Sequence, residues 1–572
     1  MIRILAVALL CIPACAPGVL HAAPDQRDQC EQREHDRRQD LSGEWRFAMD
    51  RDDEGVGQSW FKRNLKDAIA LPGILQAQGH GDDISTKTPW VLSLYDKNWD
   101  QREDYKTHTA AGDVKVPFLS QPKKHYLGAA WYQRDVDVPA TWRGKRIALF
   151  LERPHWGSTL WIDERRVGGN LSLVAEHEYD LGLLAPGKHR ISVRVDNRML
   201  MAYRPDAHSI SDSLGMSWNG IVGKMELRAT SPVWLDDAQV YPDVKNKTAL
   251  VKIRIGNIGG RAGAGTVTAN GVAHKVKWAA WGGSAEINVR FPANAQTWDE
   301  FHPVLQKIRL RLQGATADAG ADDARDVSFG FAQISAKGNQ FMLNGRPLFL
   351  RGTHHGGDFP LTGYPPTDVA YWRKIIQINK DWGINHIRFH SFCPPEAAFQ
   401  AADELGVYLQ PEPGMWNEVS PGTAMDQMLY QETERMIKAY GNHPSFILLS
   451  PANEPKGRWK EAFDAWIAHY RKADPRRLYS NGTGHTEKEV PGLAEGTDFL
   501  SMQRIGPKPL RGDKGWFGRD YGASLEGVNV PVVSHETGQW AAYPDYDIIR
   551  KFRGYLRPGN YEIFRDSLAR HG

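Results

Sequence analysis

Four consecutive apolar residues, Phe446-Ile447-Leu448-Leu449, predict a strand buried on both faces. The run leads into Ser450-Pro451-Ala452-Asn453-Glu454-Pro455, so a strand over 446–452 delivers Asn453 and Glu454 at its carboxyl end. From Phe341 onward such runs alternate with helical periodicity. Strands are predicted over 348–352, 386–390, 407–412, 446–452, 478–481, 499–503 and 530–536, with helices over 368–382, 395–405, 425–440 and 459–473. Thr367-Asp368 reads as the N-cap of the first helix, which stops before Gly383. This is the order of a (β/α)8-type TIM barrel, whose strands present functional groups at their carboxyl ends. Seven strands can be counted before a largely helical segment over 545–570, so the barrel reads as one lacking its last strand, truncated at its C-terminal side.

Upstream the period changes to that of exposed-face strands. Residues 43–47, 130–136, 146–151 and 189–195 are strand-like runs separated by Gly, Pro and Asn, the pattern of a sandwich or jelly roll. The polar stretch 95–121 reads as a surface excursion of that domain, and long loops of this kind are often functional. Residues 250–255 and 307–312 alternate strictly, as half-buried strands of an immunoglobulin-like β-sandwich do, with 314–326 as a loose hairpin loop. The expected division is a signal peptide over 1–23, a jelly-roll domain over 24–230, an immunoglobulin-like sandwich over 231–333 and the barrel over 334–572.

Composition narrows the picture. The 572 residues are 41% hydrophobic and 24% charged, with a net charge of +3 and acidic and basic residues interspersed. No like-charge run marks a nucleic-acid surface. Arg3, the apolar stretch 4–10 and the small residues Ala22-Ala23 form an export signal, which places the mature chain in the periplasm or outside the cell. Lipid attachment at Cys15 is disfavoured by Pro13, and no later run approaches the roughly 20 apolar residues of a membrane span. Cys11 and Cys15 fall in the leader, while Cys30 and Cys393 lie far apart, so neither a disulfide framework nor a metal-ligand spacing emerges and no cofactor is expected. Oligomeric state is left open. Twenty tryptophans supply faces suited to sugars, or simply to core.

The second carboxylate at a strand end is Glu536, in Val532-Val533-Ser534-His535-Glu536. Two carboxylates at the active face of a barrel point to acid/base or nucleophilic work at an acetal. Arg388 and His390, two apart on one strand, share a face. His354 and His355 end the first strand: His354 is the candidate for a sugar hydroxyl and its neighbour a packing histidine, with no third metal ligand suitably spaced. Trp416 and Trp540 are candidates for stacking on a sugar, Gln503 for a substrate contact, and Glu412 and Glu418 are supporting or loop acids.

Several segments carry a family resemblance. Leu41-Ser42-Gly43-Glu44-Trp45-Arg46-Phe47, Trp131-Tyr132-Gln133-Arg134, Asp196-Asn197-Arg198, Phe341-Met342-Leu343-Asn344-Gly345-Arg346-Pro347, Asn442-His443-Pro444-Ser445, Asn453-Glu454-Pro455 and His535-Glu536 resemble segments of glycoside hydrolase family 2, the β-galactosidases, β-glucuronidases and β-mannosidases. The chain departs from the family at Ala332 after Gly330-Phe331, in lacking a Tyr within Ser501-Met502-Gln503-Arg504, and in its missing eighth strand. The resemblance implies a retaining exo-glycosidase with a carbohydrate substrate, Glu536 as nucleophile and Glu454 as acid/base. Asn453 would then bind the sugar hydroxyl at carbon 2, and Arg388 would hold the nucleophile ionised. Glu454 is expected to have a raised pKa, from the Glu536 charge and partial burial. The competing expectation is an inactive or carbohydrate-binding remnant of such an enzyme.

Overall fold

The computed structural model describes residues 37–93, 98–118, 121–215, 217–316, 320–484, 492–505, 508–510, 521–537 and 544–572. The expected leader, Cys11, Cys15, Cys30 and Trp540 lie outside the described residues.

Two antiparallel sheets form the first layer pair. One orders Arg38–Asp40, Gly220–Thr230, Arg146–Pro154 and His177–Leu183; the other runs from Arg165–Leu171 through Gly157–Ile162, Gly187–Asp196, Ala129–Val138 and Gly43–Asp50 to Asp67–Leu71. Trp45, Phe47, Tyr132, Leu149, Leu151 and Val193 fill the space between them. A second sandwich packs Val233–Asp243, Thr248–Asn257 and Gly283–Arg290 against a four-stranded sheet. Ala249, Val251, Ile253 and Ile255 point into its core while their neighbours do not, as period-two alternation requires. The loop expected over 314–326 is shorter, because the ladder of Leu305–Gly314 with Asp322–Gly330 runs on to the pair Gln313 and Asp322.

The chain enters the barrel through an antiparallel hairpin, Gln340–Leu343 with Arg346–Leu348, turned at Asn344-Gly345. Both turn residues have positive φ, 52° and 78°, as a two-residue hairpin turn demands. Leu348 is thereby paired with Phe341, and the first parallel strand, expected over 348–352, forms later, at Gly352–His355. We number the parallel strands β1 (Gly352–His355), β2 (His386–Phe389), β3 (Tyr408–Gln410), β4 (Leu448–Leu449), β5 (Leu478–Thr483), β6 (Phe499–Met502) and β7 (Val532–Ser534). They pair in that order, β3 meeting the β4 segment through a bridge between Leu409 and Phe446. Among the described residues no pairing joins β7 back to β1. The run 446–452 contributes only two ladder residues, since Pro451 has no N–H to offer a neighbour.

Helices α1 (Val369–Asp381), α2 (Glu396–Leu405), α3 (Ala424–Tyr440) and α4 (Trp459–Ala473) cover the outer face, and α5 (Gly559–His571) ends the chain. Asp368 caps α1, its carboxylate accepting from the Ala370 and Tyr371 N–H groups. Met425, Met428, Leu429, Met436 and Tyr440 recur at helical spacing and bury one face of α3.

The first sandwich is fused to the barrel. Trp156, Leu173, Tyr203, Ala207 and Ile210 share one apolar core with Phe389, Phe399 and Trp466. Arg153, 5% exposed, donates to the carbonyls of Leu173 and Val174 on its own side and of Cys393 and Pro394 on the other, at 3.1–3.2 Å. Glu432 on α3 accepts from the Leu173 N–H at 2.8 Å and Ser172 Oγ at 3.2 Å. The result is a fixed placement of the connection 197–219 over the barrel mouth. The C-terminal segment reaches back to the polar excursion: Tyr555 Oη donates to the Lys124 carbonyl at 2.9 Å, and Glu562 pairs with Lys115 at 3.0 Å.

Candidate active site

Glu454 and Glu536 follow β4 and β7, and both have positive φ, 35° and 51°. Ser391, just after β2, is the third such residue at the mouth, with φ 39°. Left-handed backbone at a residue with a Cβ costs about 1–3 kcal/mol and persists only where the surroundings enforce it. Here they do. The Glu454 N–H donates to the Thr483 carbonyl at 2.8 Å and the Asn453 N–H to that of Met415 at 3.1 Å, so neighbouring strands hold the Asn-Glu pair from both sides.

The two carboxylates sit in opposite fields. Burial raises the Glu454 pKa above its usual 4.5, the Glu536 charge raises it further, and Arg204, Gln503 and Arg388 oppose the shift without cancelling it. Gln503 Nε2 lies 3.3 Å from Glu454 Oε1. For Glu536, burial also favours the neutral acid, but His390, His535 and Arg388 outweigh it and hold this carboxyl well below the usual range. His535 Nε2 lies 3.0 Å and His390 Nε2 3.6 Å from Glu536 Oε1. Burial pushes His535 down to about 4 and His390 well below its usual value, so both rings face Glu536 as neutral imidazoles at pH 7.

Ser391 sits beside the nitrogen of His390 that faces away from Glu536. Its Oγ accepts from the His208 N–H at 3.0 Å and stands 3.0 Å from His390 Nδ1. If the hydroxyl donates its own proton there, the imidazole N–H lies on Nε2, the nitrogen that faces Glu536.

Arg388 gives its hydrogen bonds to other partners and acts on Glu536 by charge alone. Its Nε donates to Glu412 Oε1 and one Nη to Asn453 Oδ1, both at 2.8 Å, and it reaches Glu536 only through its longer-range charge. The reason is Glu412, fully buried at the end of β3, which also accepts from Thr483 Oγ1 at 2.6 Å and the Ser391 N–H at 2.7 Å. Glu412 is therefore the keystone of the floor, whereas Glu418 is exposed in a loop. Asn453, its oxygen taken by Arg388, has an Nδ2 with no partner among the described residues, a buried donor left for a ligand.

His354 stands at the mouth, its ring 5.1 Å from that of His390. His355 packs on Phe359, Trp372 and Phe389 and accepts from the Gly357 N–H. Beside His354 the fold supplies the ligands that sequence spacing lacked: donor atoms of His354, His390 and Glu536 lie within 4.8 Å of one another. Ligands about 2.1 Å from one ion span at most about 4.2 Å, so this trio would have to contract to hold a metal. Trp416 is 9% exposed, its ring 5.0 Å from His390 and its N–H unpartnered among the described residues.

Two residues at the site were not foreseen, and both come from the connection 197–219 of the first sandwich. The His208 ring lies 4.2 Å from that of His390, tilted by 42°, and its Nδ1 meets the Gly356 carbonyl. A Cβ on residue 356 would lie 3.0 Å from the His208 ring, so glycine permits this approach. Arg204 lays its guanidinium over Trp416, 4.5 Å from the ring centroid. The available signal was a long connection, rich in charged and polar residues, between two strands of a β domain.

A barrel with these strand-end groups can be compared with known proteins. Residues 334–494 match the family model "Glycosyl hydrolases family 2, TIM barrel domain". Over this barrel segment the chain is similar to glycoside hydrolase family 2. It is thereby placed among the hydrolases that act on O-glycosyl bonds. Relatives within the family include the β-glucuronidase of Felis catus, 22% identical over 477 residues that cover 77% of this chain and 67% of that protein. A putative β-glucuronidase of Formosa agariphila is 24% identical over 397 residues, covering 66% of this chain and 36% of the longer protein. A family 2 β-galacturonidase from Eisenbergiella tayi, solved bound to galacturonate, shares the fold with a TM-score of 0.65 at 18% identity, covering 88% of this chain and 82% of that one.

Proposed function

We propose that the chain is an exported, retaining exo-glycosidase that removes a terminal β-linked sugar, galactosidase-like or glucuronidase-like, from a polysaccharide or glycan by double displacement. The supporting observation is the opposite tuning of the two strand-end carboxylates, Glu454 toward the neutral acid and Glu536 toward the anion. A retaining hydrolase needs this division of labour, with its carboxylates about 5–5.5 Å apart. Glu536 attacks the anomeric carbon while Glu454 gives its proton to the departing oxygen. Glu454, now anionic, takes a proton from water, whose oxygen displaces Glu536 from the glycosyl ester and restores both groups. Asn453 Nδ2 donates to the hydroxyl at carbon 2, a contact that tightens in the transition state. His354, His390 and Trp416 line the sugar, and Gln503 steadies Glu454 once it is ionised.

In this reading residues 1–23 direct export, 24–230 and 231–333 are the jelly-roll and immunoglobulin-like units, and 334–572 carry the chemistry. Among the described residues no helix is long and apolar enough to cross a membrane. The names of the relatives favour an acidic sugar. Hydrolysis of a panel of aryl β-glycosides by residues 24–572, with Glu536→Ala as control, tests the proposal. Turnover abolished in the control supports it, and no turnover from the folded chain favours a carbohydrate-binding remnant.

A further inference from the structure

We propose that Arg204 reads a carboxylate on the substrate, making the chain selective for an acidic sugar at or beside the bond it cleaves. This inference rests on the glycosidase reading above.

Arg204 is a cation delivered to the barrel mouth by another domain, and its placement is built. Asn417 Nδ2 donates to the Ala202 carbonyl at 3.1 Å, Ser209 Oγ to that of Ser391 at 2.7 Å, and Tyr203 is buried in the core shared with the barrel. Asp206, fully buried, accepts from the Ser93 N–H at 3.0 Å and orients the guanidinium by accepting from Arg204 Nε at 3.0 Å. The Trp416 ring supports one face of the guanidinium. Held through Nε and one face, the group keeps its two Nη atoms for something else. No described residue gives them an acceptor within hydrogen-bond reach, and the side chain is 30% exposed, open to a ligand.

A planar fork with two parallel N–H donors matches a carboxylate in geometry as well as charge. The other guanidinium of the site, Arg388, is already engaged by Glu412 and Asn453. Trp416 links Arg204 to the reacting groups: its ring is 5.0 Å from His390, whose Nε2 is 3.6 Å from Glu536. The Arg204 charge is felt at Glu454, the group that protonates the leaving oxygen, so the carboxylate belongs either to the sugar that is released or to an acidic sugar on the far side of the bond. Both present the same chemistry.

The experiment compares the intact chain with Arg204→Gln and Arg204→Lys. 4-Nitrophenyl β-glucuronide and β-galacturonide are each set against the neutral β-glucoside and β-galactoside. A second arm uses a neutral terminal sugar linked to galacturonate. The acid-to-neutral ratio of kcat/KM should fall about 100-fold in Arg204→Gln, with partial recovery in Arg204→Lys, which keeps the charge and loses the fork. A loss confined to the aryl uronides places the carboxylate on the released sugar; a loss confined to the second arm places it across the bond. An unchanged ratio in every arm overturns the inference while leaving the glycosidase intact. Should no substrate turn over, the glycosidase reading fails, and calorimetric titration still decides the inference. Glucuronate and galacturonate must then bind more tightly than glucose and galactose and lose that margin in Arg204→Gln; equal affinities overturn it.

Discussion

Replacing Glu412 by Gln changes one atom and removes a charge at the centre of the barrel floor. Oε1 accepts from Arg388 Nε and Thr483 Oγ1, and Oε2 accepts from the Ser391 N–H. Either orientation of an amide puts its NH2 against one of these donors: the hydroxyl of Thr483 can turn, but the Arg388 and Ser391 N–H groups cannot become acceptors. Arg388, 6% exposed, is left as a buried cation without its counter-charge. Breaking such a pair from one side costs about 3–5 kcal/mol. That is a large part of the roughly 5–15 kcal/mol that holds a domain folded. The barrel's calorimetric transition should therefore move sharply down in Glu412→Gln. The double variant Arg388→Met with Glu412→Leu removes both charges and should recover most of the loss. Activity should not recover, because Asn453 Oδ1 loses the Arg388 donor that holds its Nδ2 toward the site. A cost below about 1 kcal/mol for Glu412→Gln, or a double variant no more stable than the singles, would refute the role given to this pair.

Other outcomes follow from the same geometry. Because the folded state raises the Glu454 pKa, it binds that proton more tightly than the unfolded chain does, and stability is lost as pH rises through the folded value. Glu454→Gln should thus unfold at a higher temperature than the native chain at pH 7 and show no such gain below about pH 4, a comparison made by calorimetry. The same variant should lower kcat about 100- to 10,000-fold on unactivated glycosides and flatten the alkaline limb of the pH–rate profile; an unchanged bell would remove Glu454 from the acid role. Ser391→Ala removes the hydroxyl beside His390 Nδ1 and should lower kcat about tenfold, with the acid limb moving to higher pH as Glu536 loses a reliable donor, read from kcat/KM profiles. Arg153→Met removes the donors that tie the sandwich to Cys393 and Pro394 and should raise susceptibility to proteolysis within 197–219.

Much of the barrel was legible because its signals are local. Asp368 marks the start of α1, apolar spacing marks α3 and α4, and apolar runs ending on Glu454 and Glu536 give both strand and chemistry. What escaped depends on contacts distant in sequence. Leu348 looks like the first barrel strand until Asn344-Gly345 folds it back onto Phe341. Arg388 looks like a partner for Glu536 until Glu412, equally plain in the sequence, arrives nearer. Arg204 and His208 carry no period or motif, and reach the mouth only because Arg153 and Glu432 dock one domain on another.

The left-handed backbone at Ser391, Glu454 and Glu536 bears on how such a chain ages. Asparagine and glycine relax that conformation, so at these three positions conformational comfort and the chemistry proposed for them pull in opposite directions. A lineage released from selection for turnover would feel only the first pull, and these positions should be among the earliest to drift to Gly or Asn while the core beneath stays apolar. This chain retains Ser, Glu and Glu there.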